Sequence, residues 1–267
     1  MGATPKIEFE VVTLTPDQCA SMLRADKTKN RQLSKDVVRA YARDMKAGNW
    51  EVNGEAVVLN GGSSILNGQH RLAACVEAGV PFTTAMIKGA PKEVFASFDQ
   101  GYKRSFANIL DTLNVPYATT CGAITASLYR LKAQDRVRGR LTPGELMPIF
   151  RKNQKKIVQA ASTIYVETKL RPLGSGALGT IVICGGATGE KFLDIMKTGV
   201  PAYRNCPVHL LRETLLRLKV NKTMPNTRVQ MWTAIGCFNH LTEHLPMEKI
   251  RWTEDCSPIN GFNHKNL

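Results

Sequence analysis

The 267-residue sequence predicts an α+β protein in which a small mixed-sheet domain precedes an all-helical domain. Short β-rich runs alternate with helical patterns over the first hundred residues, and almost no strand pattern follows residue 113. The hydrophobic fraction of 43% and the charged fraction of 22% are ordinary for a globular chain and exclude disordered or fibrous proteins. We therefore expect two domains, at residues 1–113 and 114–267.

The first domain is expected to hold four strands and four helices. The run KIEFEVVTL is β-branched and aromatic, and Thr15-Pro16 is typical of a helix start. Ser34 is expected to cap the second helix and Gly48 to end it. The predicted strands cover residues 6–14, 54–60, 65–68 and 81–89, and the predicted helices cover 16–25, 35–47, 69–78 and 91–99.

The second domain is expected to be a helical bundle, because apolar residues recur at helical spacing between Pro, Gly and polar turns. A helix over 105–113 could bridge the two parts. The other predicted helices cover residues 119–133, 142–150, 154–167, 174–184, 187–196, 207–220 and 228–244.

The seven cysteines predict no disulfide framework, because they are odd in number and widely scattered. The first residues carry no secretion-signal pattern, and the Gly-rich apolar stretch at 173–189 is too short and too interrupted to cross a membrane. We therefore expect a protein of the reducing cytoplasm with no membrane partner.

Positive charge is concentrated in the second half of the chain. The formal net charge is +14, of which residues 1–112 contribute only +2. Such a field attracts phosphate backbones, so the sequence predicts DNA as a partner, although a solvated helix surface is the alternative interpretation. The candidate nucleic-acid-binding residues are Arg130, Lys132, Arg136, Arg138, Arg140, Arg151, Lys152, Lys155 and Lys156.

The most specific motif is the run ILNGQHRLAA at residues 65–74, which predicts a strand, a glycine turn and a helix. Amides at a helix N-terminus form an anion site, and Gly68 allows close backbone approach. Arg71 adds a fork that can bind phosphate at two points, and His70 is suited to hydrogen bonding or proton transfer. The alternative is that both side chains only cap their own helix.

This box resembles the "DGQHRLAA" box of the ParB/sulfiredoxin superfamily, in particular its phage and plasmid ParB-like domains. The similar run ARDMKAGNW precedes it, and the resemblance covers about residues 6–113. The resemblance implies a ParB/sulfiredoxin-like first domain that binds CTP or ATP with Mg²⁺. The implied nucleotide-binding residues are Asn67, Gly68, Gln69, His70, Arg71 and, from a preceding motif, Arg31.

Two departures from the superfamily limit the chemistry. Sulfiredoxin carries its catalytic Cys where this chain has Gln69, so repair of sulfinic acid is not expected. Partition proteins carry Glu-Arg-Arg where this chain has Gln69, His70 and Arg71, and their downstream helix-turn-helix reader is not evident.

A second constellation, FDQGYKRS at residues 98–105, offers a metal-bound phosphate site. Asp99 is the candidate Mg²⁺ ligand, and Arg104 is the candidate contact to a phosphoryl oxygen. With His70, these residues form the candidate catalytic set. A salt bridge between Asp99 and Arg104 around the turn is the structural alternative.

The sequence thus predicts a DNA-associated, nucleotide-binding protein, with NTP hydrolysis as its candidate activity. The first alternative is a phosphotransferase that acts on a hydroxyl of a small molecule or modified base. A DNA nuclease and a non-catalytic DNA-binding adaptor are the others, and the nuclease lacks a clear acidic cluster. A homodimer is left open as the assembly.

Overall fold

The structure is a computed structural model that describes residues 7–26, 32–60, 64–91, 105–134, 136–137, 139–166 and 172–267. Its described residues confirm a mixed α+β protein at the coarse level, with one four-stranded sheet and a majority of helices. The chain divides into two compact units. The sheet unit comprises Met1–Lys103 with Gly139–Glu145, and the helical unit comprises Arg104–Arg138 with Leu146–Leu267.

The sheet unit builds a mixed sheet whose strand order is β1-β4-β2-β3. Strands β1 and β4 pair antiparallel from Glu8↔Lys88 to Leu14↔Phe82, β2 and β4 pair parallel, and β2 and β3 pair antiparallel. Its elements are β1 (Glu8–Leu14), α1 (Pro16–Ala25), α2 (Lys35–Lys46), β2 (Val57–Leu59), β3 (Ile65–Asn67), α3 (Gln69–Ala78) and β4 (Phe82–Lys88).

One apolar core joins the three helices to the sheet. Cys19 of α1, Leu72 and Cys75 of α3, and the strand residues Val57 and Ile65 are all fully buried in one cluster. Helix α1 begins as the sequence predicts, because the Thr15 side chain and Gln18 form a reciprocal capping box. Burial of these apolar side chains is the main favourable term that fixes α3 against the sheet.

The helical unit surrounds a larger core. Its fully buried side chains include Trp232, Phe192 and Phe238, and the last two rings lie 6.2 Å apart. The elements are α4 (Phe106–Thr112), α5 (Ala118–Lys132), α6 (Pro143–Val166), whose first three residues belong to the sheet unit, α7 (Ser175–Thr198), α8 (Pro207–Val220), α9 (Thr227–Thr242) and a 3₁₀ turn (His264–Asn266).

Several predicted boundaries are wrong for local reasons. The predicted helices at 142–150 and 154–167 form the single helix α6, because Arg151 and Lys152 between them are good helix formers. The pair at 174–184 and 187–196 forms α7 with one non-helical residue, Gly186 (φ 53°, ψ −135°), between them. The strand predicted over 54–60 is confined to Val57–Leu59, since the Asn53 side chain accepts the Glu55 N–H in a turn. The predicted helix at 91–99 lies largely outside the described residues.

Within the sheet unit, the segment Gly139–Glu145 is bonded to α2. Glu145 accepts two hydrogen bonds from the Arg43 guanidinium, at 2.7 and 3.2 Å, and Arg43 also donates to the carbonyl of Arg140. Thr142 and Glu145 form a reciprocal capping box, and the Thr142 hydroxyl donates to Asp44 Oδ1 at 2.6 Å. These bonds connect α2 to residues that are about a hundred positions later in the sequence.

Burial disfavours the ionised form of Asp44 in this polar cluster. Burial raises the pKa of its carboxyl to about 6, and repulsion from Glu145 adds to the increase, while the Thr142 hydroxyl and Arg43 oppose it. The folded state therefore binds a proton more tightly at Asp44 than the unfolded chain does. The contribution of Asp44 to stability is lost as pH rises from about 4 to about 6.

We expect Asp44→Asn to stabilise the protein at pH 7.5, because the amide keeps the Thr142 bond and carries no buried charge. The melting temperature should rise by about 2–4 °C, the shift that about 1 kcal/mol produces in a chain of this size. The increase should vanish near pH 4. Thermal unfolding of the variant and of wild type between pH 4 and pH 7.5 measures this difference in melting temperature. The control is Glu77→Gln, which removes a carboxylate from an exposed position. A difference that does not depend on pH would contradict the assignment.

Candidate functional site

The turn between β3 and α3 is built around Gly68. Gly68 is the N-cap of α3 and has a left-handed backbone (φ 99°). A Cβ at this position would lie 2.9 Å from Val57 Cγ2 and 3.0 Å from Val57 Cα, so both backbone and space require glycine. The N–H of Ile65 donates to the Asp26 carboxylate at 3.0 Å, which fixes the start of β3. The sheet therefore holds the N-terminus of α3 in one position.

The Arg71 side chain is directed at the start of β2. Its guanidinium donates to the carbonyl of Ala56 at 2.8 Å and to Glu55 Oε2 at 2.6 Å. Only 10% of the side chain is exposed, whereas that of Glu55 is 62% exposed. These contacts tie α3 to the sheet, so the structure gives Arg71 a structural role that the sequence did not reveal. The predicted phosphate contact from this residue stays a prediction.

His70 joins the N-terminal ends of α2 and α3. Its Nε2 accepts a hydrogen bond of 3.0 Å from the backbone N–H of Ser34. Only a ring nitrogen without a proton can accept such a bond, so the contact uses the lone pair of Nε2. Ser34 occupies the N-cap of α2, as the sequence predicts, but its side chain makes no capping bond.

The electrostatics of this turn favour an anion. Both helix N-termini carry partial positive charge, and the first turn of α3 contains no acidic residue. Asp36 in the first turn of α2 opposes this effect. The Gly68 N–H is bonded to Asn67 Oδ1 at 2.7 Å, and the Arg71 N–H to the Gly68 carbonyl at 2.9 Å. Gln69 is half-buried beside them.

Three further members of the predicted phosphate and metal set, Arg31, Asp99 and Arg104, lie outside the described residues. Among the described residues, no group of three or more His, Cys, Asp and Glu side chains is arranged to hold a metal ion.

None of the described helices combines the length and apolarity needed to span a membrane. Residues 67–70 of the Gly68 turn do not line either of the two best-formed cavities among the described residues.

Helix α6 carries a cationic surface. Arg151, Lys152, Lys155 and Lys156 are all exposed, and their spacing of i, i+1, i+4 and i+5 puts them on one face. The opposite face is apolar and buried in the helical core through Phe150, Ile157, Ala160, Ala161 and Ile164. No acidic residue occurs between Leu146 and Val166. We call the four exposed cations the α6 cationic face.

The other predicted cations are spread over both units, and two of them bond to backbone carbonyls. Arg130 donates to the carbonyl of Val137, and Lys132 Nζ donates to a carbonyl oxygen of Leu267 at 2.6 Å. Arg136 is exposed and donates to the side chain of Gln134 at 3.3 Å. Arg140 is exposed and belongs to the sheet unit, and Arg138 lies outside the described residues.

Sequence reasoning missed two partners of the box residues. Glu55 and Ser34 carry no signal for these contacts and become visible only through the bonds to Arg71 and His70.

The chain was compared with protein families, with curated proteins and with solved structures, and none of the three comparisons gives a match. The resemblance to the ParB/sulfiredoxin superfamily thus depends on the box and its flanking run alone.

Proposed function

We propose that this protein associates with DNA through the phosphate backbone, and that the α6 cationic face makes the contact. The observation that carries the proposal is four exposed cations on one helix face with no acidic residue in that part of the helix. Burial of the opposite face in the core keeps the cations turned outward. Segregation of the net charge into the second half of the sequence supports the same conclusion.

Phosphate contact by these cations has a measurable signature. Each Lys or Arg that neutralises a phosphate releases condensed counterions, so affinity falls with salt concentration. For duplex DNA, each contact adds about 0.9 to the magnitude of the slope of log K against log salt. Contacts of this kind carry no sequence information, so the proposal concerns DNA of any sequence.

We expect the double variant Lys152→Gln/Lys155→Gln to weaken duplex binding and to reduce the magnitude of the salt slope by about two. Fluorescence anisotropy of a labelled 20-base-pair duplex over a series of salt concentrations measures both quantities. The matched control is Lys219→Gln/Lys222→Gln, which removes the same charge from exposed positions at the end of α8. Equal losses in the two double variants would mean that only net charge matters and would overturn the proposal.

A second proposal is that the sheet unit is a ParB/sulfiredoxin-like domain that binds the phosphates of a nucleotide at the Gly68 turn. Support comes from the close approach of the backbone at Gly68 and from the two helix N-termini joined by His70 and Ser34. Residues Asn67 to His70 would then face the phosphates. Glu55 already neutralises Arg71, so the helix amides would supply most of the attraction.

The chemistry beyond binding depends on residues outside the described part of the chain. Asp99 would hold Mg²⁺, and Arg104 and Arg31 would contact phosphate, if NTP hydrolysis or phosphotransfer takes place at this turn. The nuclease alternative needs a group of acidic metal ligands, and the described residues contain no such group of three or more.

We expect Mg²⁺ with a nucleoside triphosphate to raise the melting temperature of wild type and of Gln69→Asn, but not of Gln69→Asp. The new carboxylate would occupy the positive end of α3 and repel phosphate, whereas the isosteric amide would not. A ligand at about 100 times its dissociation constant adds ~2.7 kcal/mol, which thermal unfolding resolves.

ATP, CTP, GTP, UTP and inorganic tripolyphosphate should be compared in this assay. A shift that survives Gln69→Asp would put the nucleotide elsewhere. No shift in wild type with any of these ligands would leave the Gly68 turn as a purely structural element and would favour the adaptor alternative.

A further inference from the structure

We infer that β1 pairs with β1 of a second copy of this chain, so that two sheets join edge to edge around a twofold axis at Val11. The inference goes beyond the proposed function and depends on neither DNA nor nucleotide. It rests on the long edge of the sheet, on two exposed apolar side chains of β1, and on the register that the strand sequence allows.

Strand β1 forms one edge of the described sheet, whose strand order is β1-β4-β2-β3. It runs for seven residues and pairs with β4 without interruption, from Glu8↔Lys88 to Leu14↔Phe82. The strand at the opposite edge, β3, has only three residues. A long and regular edge presents a row of backbone N–H and C=O groups that can pair with a further strand.

The sequence of β1 lacks the features that usually protect an edge strand. Proteins block such edges with proline, lysine, bulges or unpaired charges that point inward. The strand EFEVVTL contains neither proline nor lysine, and its register with β4 has no bulge. Its two acidic residues lie beside Lys88 of β4, since Glu10 forms an ion pair with Lys88 and Glu8 is the cross-strand neighbour of Lys88. Their charges therefore do not block a further strand.

Apolar side chains are exposed on one face of this edge. Phe9 is 73% exposed and Val11 is 68% exposed, and the alternation of side chains along a strand puts both on the same face. Their cross-strand neighbours on β4 are Ile87 and Ala85, which are also apolar. A second β1 would place another pair of these apolar side chains beside the first and remove part of this surface from water.

One register pairs the whole strand with itself. A twofold axis at Val11, the midpoint of Glu8–Leu14, places Val11 opposite the partner's Val11 and Phe9 opposite the partner's Thr13. The side chains that meet on the exposed face are then apolar or small. An interface of this kind needs only one surface that is complementary to itself.

Charge favours this register over its neighbours. An axis at Glu10 would set two carboxylates directly opposite each other, and an axis at Phe9 would set Glu8 opposite the partner's Glu10. Like charges at directly opposite positions are destabilising. Residues 1–112 carry a net charge of only +2, so most of the positive charge of the chain belongs to the other part of the sequence.

The first test places a cysteine on the proposed axis in the full-length protein. Directly opposite residues of an antiparallel pair have Cα atoms about 4.5–5.5 Å apart, a distance that a disulfide can span. We therefore expect Val11→Cys to form a covalent dimer on mild oxidation, as measured by non-reducing electrophoresis. Wild type gives the background, since six of its seven cysteines are buried.

The matched control is Phe9→Cys, at a position that is slightly more exposed than Val11. In the proposed register the two copies of position 9 lie about 14 Å apart, which is too far for a disulfide. Phe9→Cys should therefore stay at the background level. Equal cross-linking of the two variants would indicate random collision and would overturn the proposal.

The second test measures assembly by analytical ultracentrifugation. We expect wild type to show a monomer–dimer equilibrium, and we expect Val11→Lys to weaken it by about tenfold or more, because two ammonium groups would meet at the axis. Val220→Lys adds the same charge at an exposed position of α8 and should leave the equilibrium unchanged. A wild type that stays monomeric at every concentration, or equal losses in the two variants, would contradict the proposal.

Discussion

The cationic surface of this protein depends on how α6 is packed. The helix buries Ile157, Ala161 and Ile164 in the core of the helical unit, and apolar burial of this kind is the dominant favourable term in folding. A rotation of α6 about its axis would expose those side chains and bury lysines, at a large cost in free energy. The same interaction that folds the helical unit therefore fixes the direction of its charges.

A second constraint operates in the sheet unit. Gly68 lies so close to Val57 that no side chain fits, and its carbonyl accepts the first bonds of α3. Arg71 and His70 then connect this helix to Glu55 and Ser34. The residues that resemble a nucleotide box thus have a structural role, and the proposed phosphate site would use the helix N-terminus that they hold in place.

The sequence predicts what local patterns control and misses what depends on distant partners. Helix α8 matches its predicted range of 207–220, because Pro207 at its first position and the apolar spacing are local signals. The glycine turn before α3 is also correct. The bond between Arg43 and Glu145 could not be predicted, since they are 102 positions apart and the sequence offers many other acidic partners. The left-handed backbone of Tyr117 has no signature in composition or spacing.

The most direct test of the account is to map lysine accessibility with and without DNA. The free and the DNA-bound protein are treated with an amine-acetylating reagent, and modification of each lysine is quantified by mass spectrometry. Lys152, Lys155 and Lys156 are all exposed, as are Lys219 and Lys222. The account expects DNA to protect the three α6 lysines and to leave the other two reactive. Unchanged modification of the α6 lysines at saturating DNA would contradict it.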